Sequence, residues 1–411
     1  MAQTVILAYS GGLDTSCILA WLIEKGYDVV AFLANLGQDE DFAAAEAKAL
    51  KIGARKVVIK DLRENFVKDF IYPAIQAGCV YEQRYLLGTS LARPCISRGL
   101  VEVAVAEKAA FISHGATGKG NDQIRFELSC VALQPDIQTI APWRMPEFYN
   151  RFAGRQDLFE YAKKHDIEVP VTPKAPWSMD ANIMHISYES GVLEDPSLPA
   201  PDTLYQMTTD PKISPTRSDI VEIEFVKGIP TTVRDVSTGE THTGALDLFC
   251  HLNALGGKHG IGRIDIVENR VIGMKSRGIY ETPAGTILHA AHLDLELFIL
   301  DKEVWRLKQY LSEKFGEQVY GGLWFSPEAE YSRKCIEICQ ESVTGTVRLE
   351  LFKGQVYVRG RQAPYSLYNQ ELVSMDVQGD YTPSDADGFI KIKALRLKEW
   401  SRIKKLRDAS Q

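Results

Sequence analysis

Ser10-Gly11-Gly12-Leu13-Asp14-Thr15-Ser16 stands between a β-branched run, Thr4 to Tyr9, and an amphipathic one, Asp14 to Lys25. Read as strand, glycine turn and helix, the stretch is an anion cradle. Two glycines let backbone N–H groups approach an anion closely, and the opening of a helix adds unsatisfied donors and a favourable dipole. Ser10, Thr15 and Ser16 add hydroxyls. The GxxxxGK[ST] spacing is absent, so no lysine is set to serve a γ-phosphate. A tight turn with a helix cap would explain the same residues without a ligand. A side chain at Gly12 is expected either to obstruct the approaching anion or to meet a positive φ.

Outward from this loop the strand, helix, strand rhythm continues. Tyr27 to Ala34 and Arg55 to Ile59 read as strands around a helix from Asp41 to Ile52. Ala110 to Ser113 and Ile137 to Ile140 are further strands, with Arg98 to Glu107 helical. The rhythm predicts an α/β fold: a doubly wound parallel sheet that binds ligands at the carboxyl ends of its strands. Between about Val169 and Pro215, eight prolines break any regular pattern and set a domain boundary in the early part of that stretch. Beyond it, strands at Asp219 to Val226 and Thr231 to Val236 and a helix near Gly244 to Leu255 read as an α+β domain. The expected division is 1–168, 169–390 and a C-terminal helical arm over 391–411.

That arm carries eight basic residues between Lys391 and Arg407 against one acid, Glu399. At helical spacing Ile392, Leu395, Ile403 and Leu406 share an arc of roughly 80°. The stripe suits packing on its own subunit, on a neighbouring subunit or, least well, a role beside nucleic acid.

The chain has 411 residues, 45% hydrophobic and 25% charged, which is globular composition with room for two cores. A net charge of -7 argues against coating nucleic acid. Cys17, Cys79, Cys95, Cys130, Cys250, Cys335 and Cys339 are odd in number and scattered, which fits a reduced compartment and no structural metal. Neither a signal-like start nor a run approaching the ~20 apolar residues of a membrane span is present. The expectation is a cytoplasmic protein with no membrane or nucleic-acid partner.

The SGGLDTS loop resembles the pyrophosphate loop of the N-type ATP pyrophosphatases. Within that superfamily, four further stretches resemble the argininosuccinate synthases: Tyr85 to Pro94, Ser113 to Phe126, Ala141 to Phe148 and Gly273 to Gly285. The resemblance runs from Val5 to about Lys398, without departure at any position carried over. It implies a ligase that joins citrulline to aspartate with ATP and Mg²⁺, releases AMP and pyrophosphate, and works as a homotetramer. For ATP it implies Ala8, Tyr9, Ser10, Gly11, Gly12, Leu13, Asp14, Thr15, Ser16 and Ala34. It adds the second turn, Ser113, His114, Gly115, Ala116, Thr117, Gly118, Lys119, Gly120 and Asn121. Thr117, Asn121 and Asp122 are expected at aspartate. Tyr85, Ser90, Asn121, Arg125, Ser178, Ser187, Glu268 and Tyr280 are expected at citrulline. Asp14 and Asp122 are the expected catalytic carboxylates. Chemically, Asp122 suits an amine and the Arg125 guanidinium a carboxylate. His114 is open to two readings, a general base or a residue that holds its loop by a hydrogen bond.

Overall fold

The computed structural model describes residues 2–118, 120–168, 177–376 and 378–410. The expected boundary at 168/169 and the prolines at 170, 173 and 176 fall outside them in whole or part. The chain forms two compact units, one through Tyr365 and one from Ser366.

The first unit begins with β1 (Thr4–Ala8), α1 (Leu13–Glu24), β2 (Asp28–Asn35), α2 (Phe42–Ile52) and β3 (Lys56–Asp61). It continues through α3 (Gly88–Ala106), β4 (Phe111–Ser113), α4 (Asp122–Leu133) and β5 (Gln138–Ile140). The five strands are all parallel, in the order β3-β2-β1-β4-β5. Both faces are covered, and alternation along the strands sorts the side chains. Val5, Leu7, Val29, Ala31 and Leu33 pack with Ile18 and Trp21 of α1 on one face. Ile6, Val30 and Phe32 pack with Leu91, Cys95 and Leu100 of α3 on the other. The Asp41 side chain caps α2 by accepting from Ala44 N–H at 2.9 Å.

α3 starts well before the expected Arg98, because Leu87 turns the chain with φ 65° and Pro94 is accommodated inside the helix. The proline-rich stretch also holds structure: β6 (Ser178–Ala181) and β7 (Ile186–Glu189) fit between prolines. Their turn is made by Asn182, whose Oδ1 accepts from Met184 N–H at 2.9 Å and from His185 N–H at 3.2 Å.

The remainder runs through β8 (Asp219–Val226), β9 (Ile229–Asp235), β10 (Thr241–His242), α5 (Ala245–Lys258), β11 (Arg263–Asn269) and β12 (Lys275–Glu281). Then follow α6 (Pro283–Ile299), α7 (Lys302–Tyr320), α8 (Pro327–Gln340), β13 (Gly345–Phe352) and β14 (Gln355–Gln362). Two antiparallel sheets result, β10-β9-β8-β13-β14 and β11-β12-β7-β6. Glu281, fully buried on β12, accepts from the backbone N–H groups of Gln206, Met207 and Thr208 at 3.0, 3.1 and 2.8 Å. That fixes a loop which forms one wall of the cavity described next. In the second unit α9 (Asp385–Asp408) starts before the expected arm at 391 and stops short of its end at 411, and leaves Ile392, Leu395, Ile403 and Leu406 exposed.

Candidate active site

Two cavities meet beyond the carboxyl ends of β1, β2 and β4. The larger, about 1070 Å³, is bounded by Ala8, Tyr9, Ser10, Asp14 and Thr15, by Ala34 after β2, by His114 to Thr117 after β4, and by Met179 to Ile183 opposite. The smaller, about 280 Å³, is lined by Tyr85, Thr117, Asn121, Asp122, Arg125, Ser187, Glu268 and Tyr280. Gly115, Ala116, Thr117, Asp122 and Asp180 belong to both. A large cavity therefore opens directly onto a small charged chamber.

The loop after β1 is held by its own hydroxyls. Tyr9 Oη and Ser16 Oγ lie 3.0 Å apart, Ser10 Oγ and Thr15 Oγ1 3.1 Å, and Ser16 Oγ donates to the Gly11 carbonyl at 3.4 Å. Gly12 caps α1 with no side chain over its first turn, so the opening N–H groups of the helix remain for a ligand. The positive φ of the loop, +70°, belongs to Gly11; Gly12 sits at −70°, a value any residue adopts. Of the two expectations for Gly12, obstruction is the one left. The Leu13 side chain is buried in the core, leaving its backbone to the loop. Burial raises the Asp14 carboxyl above its ordinary value, with Arg155 opposing. Lys48 of α2, unmarked in the sequence, donates to the Gly11 carbonyl at 2.7 Å and braces the loop from behind.

The second turn is held by His114. Ala116 N–H donates to its Nδ1 at 3.3 Å and its Nε2 lies 3.2 Å from Glu127 Oε1. With both ring nitrogens engaged, the geometry supports loop holding over general-base work. Ser113 is buried with an unpartnered hydroxyl, and Lys119 lies outside the described residues.

In the small chamber Asp122 accepts from Arg93 at 2.7 Å and from Arg125 at 3.2 Å. Burial alone would raise its pKa, but the two guanidiniums outweigh it and hold the carboxyl at about 2. Arg93 also donates to Asp180 at 2.8 Å, and Thr89 Oγ1 reaches the same Asp180 at 3.2 Å. Arg125 is 4% exposed; its Nε donates to the Tyr320 carbonyl at 3.0 Å and its guanidinium lies 4.9 Å from the Tyr320 ring. The Glu268 carboxylate accepts from Tyr280 at 3.0 Å and from Tyr320 at 2.9 Å. Burial raises the Glu268 carboxyl despite these bonds. Asn121 donates to Tyr320 Oη at 3.0 Å, and the Tyr85 ring stacks on Tyr280 at 4.3 Å.

One sheet lays out much of this wall. Asp180 pairs with Ser187, and Ser187 pairs with Tyr280, so the three form a row across β6, β7 and β12. Ser90 and Ser178 do not line the chamber: Ser90 is buried with an unpartnered hydroxyl, and Ser178 is exposed at the start of β6. In the chamber, Arg93, Asp180 and Tyr320 are the residues missed. Arg93 lies within the stretch from Tyr85 to Pro94, but its role depends on two carboxylates remote in sequence. Asp180 and Tyr320 carried no local signal. Among the described residues no group of three or more His, Cys, Asp or Glu side chains is placed to hold a metal, and no helix is long and apolar enough to cross a membrane.

Two family models match, described as "Arginosuccinate synthase N-terminal HUP domain" over residues 4–168 and "Arginosuccinate synthase C-terminal domain" over 177–400. Curated proteins named argininosuccinate synthase match at nearly full length. That of Xenopus tropicalis is 65% identical over 98% of this chain and 97% of its own. That of Danio rerio is 65% identical over 97% and 96%, and that of Homo sapiens 64% over 97% and 97%. With an all-parallel sheet presenting its glycine loop to a nucleotide-sized cavity, and matches covering both halves, the chain belongs to the argininosuccinate synthase family.

Proposed function

We propose that the chain is an ATP-dependent ligase that condenses L-citrulline with L-aspartate to argininosuccinate, AMP and pyrophosphate. The observation that carries this reading is the junction of the two cavities. A chamber walled by paired charges of the kind that bind amino acids opens, at Gly115 to Thr117 and Asp122, onto a space sized for a nucleoside triphosphate.

The ureido oxygen of citrulline attacks the α-phosphorus of ATP; an oxygen–phosphorus bond forms and the bond to pyrophosphate breaks. The aspartate amine then attacks the activated carbon, loses a proton and expels AMP. Positioning and charge stabilisation are the protein's share. The N–H groups at the start of α1 face the departing pyrophosphate, Arg125 and Glu268 orient citrulline, and Asp122 receives the aspartate amine. Mg²⁺ usually takes one or two carboxylates together with substrate phosphates, and Asp14 and Glu40 on the cavity wall fit that need. When bound it neutralises charge on the phosphates.

The reading extends to a domain plan of ATP-binding 1–168, synthetase 169–390 and an oligomerising arm 391–411, in a cytoplasmic homotetramer. Seven unpaired cysteines and the exposed apolar residues of α9 support it. Deleting the segment after Lys391 should lower the mass seen by light scattering. The chemistry is tested with citrulline carrying heavy oxygen in its ureido group. The label should leave in AMP and not in pyrophosphate; unlabelled AMP in a competent reaction overturns the adenylate route.

A further inference from the structure

β2 outruns β1. The last register pair between them is Ala8 with Phe32, Tyr9 N–H donates to the Phe32 carbonyl at 2.9 Å, and the first chain then turns into its glycine loop. β2 continues to Asn35. Backbone groups alternate sides along a strand, so those of Ala34 and Leu36 face the side that β1 has vacated. The opposite side is occupied, since Leu62 N–H donates to the Asn35 carbonyl at 2.9 Å. The sheet therefore presents one carbonyl and, two residues on, one N–H toward the large cavity, which Ala34 and Leu36 both line.

A single side chain satisfies both. Gln38 Nε2 donates to the Ala34 carbonyl at 2.8 Å, and Leu36 N–H donates to Gln38 Oε1 at 2.8 Å. Glu40 Oε2, 3.2 Å from the same Nε2, fits the amide in this orientation. A donor beside an acceptor, in this order, is also what adenine offers along its N6–N1 edge. Guanine offers the reverse, an acceptor at O6 beside a donor at N1. Meanwhile the Leu36 carbonyl is pinned by Ile183 N–H at 2.7 Å, so the backbone pair stays aimed whether or not the carboxamide is present.

We infer that Gln38 is a displaceable stand-in for the base: its carboxamide holds the Ala34 and Leu36 groups in the nucleotide-free protein, and adenine must evict it to bind. The inference rests on reading the large cavity as the ATP site. Gln38 then weakens ATP binding while keeping two backbone groups satisfied that would otherwise be left bare.

Calorimetry of the full-length protein tests this with two probes, ATP and tripolyphosphate, which reaches the glycine loop but has no base. Gln38→Ala and Gln38→Met should each bind ATP about three- to tenfold more tightly, the scale of two hydrogen bonds that no longer have to be exchanged. Tripolyphosphate binding should not change. In the wild-type protein, with selectively labelled glutamine, the Gln38 amide signal should shift on adding ATP and stay in place with tripolyphosphate. This readout needs no variant to fold. ATP affinity that is unchanged or weaker in both variants, or an amide signal indifferent to ATP, overturns the inference. Wild-type protein that fails to bind ATP at all would instead defeat the site reading beneath it.

Discussion

The hydroxyl bonds of the glycine loop reach across at most seven residues, Tyr9 to Ser16, and its brace from Lys48 across 37, whereas the small chamber is closed by bonds such as Asn121 to Tyr320, separated by 199. The first is a local device whose parts can be altered singly. The second is a network in which Arg125, Asp122, Glu268 and Tyr320 are linked by shared hydrogen bonds, so that removing one strips a bond from its neighbours. Damage to the loop should therefore be graded and confined to ATP, and damage to the chamber steep and confined to the amino acids.

The steepest effect is expected from Arg125→Ala. It strips a donor from Asp122 and from the Tyr320 carbonyl inside a buried site. Steady-state kinetics should show kcat/KM for citrulline falling by about a hundredfold or more, on the order of 3 kcal/mol. ATP affinity by calorimetry should hold, and equal losses for all substrates would erase the contrast.

The loop separates its two glycines. Gly11→Ala forces a side chain into a left-handed conformation and sets its Cβ 3.2 Å from Ala45 Cβ, so the loop itself should loosen, with a penalty of about 1–2 kcal/mol. Gly12→Ala has an ordinary φ and meets only Ser10 Oγ at 3.5 Å. Its thermal stability should match wild type, and any loss should appear in ATP KM alone. If Gly12→Ala proves the less stable of the two, this account of the loop is wrong.

Smaller still is Tyr320→Phe, which removes one hydroxyl from between Asn121 and Glu268. About a fivefold rise in citrulline KM is expected, from a net loss near 1 kcal/mol. The least effect is one of pH. Asp122 has a depressed pKa, so its stabilising contribution is present above the usual carboxylate range and is lost only as pH falls toward about 2. Glu268 is raised, so the folded chain binds its proton more readily than the unfolded one. Its contribution is therefore fully present below the unfolded value and fades as pH rises through the raised one. Citrulline KM should climb as mild acid neutralises Glu268. Glu268→Gln should start from a higher KM and lose that slope; a slope that persists in the variant assigns it to another group.

The same contrast explains what could be read without coordinates. SGGLDTS and the strands around it were legible because their signals are local: periodicity, glycine turns and helix openings. The start of α3 was not, since Gly88 and Pro94 argue against a helix that tertiary packing nevertheless imposes. β6 and β7 were hidden because strands of four residues each carry too little periodicity to register. Asp122 and Arg125 came from resemblance, with chemistry that made sense of them. Arg93 became visible only once it was seen to bridge Asp122 and Asp180, and Tyr320 only once α7 brought it beside Asn121.

The row of Asp180, Ser187 and Tyr280 across three neighbouring strands makes this wall a ruler. Side chains on a strand alternate faces, so a deletion of one residue in the Asn182 to His185 turn would advance β7 by one position and turn Ser187 to the far side of the sheet. Composition here can drift while length cannot. Anyone reshaping the chamber for a different amino acid has substitution as a tool, and must leave the residue count of that hairpin untouched.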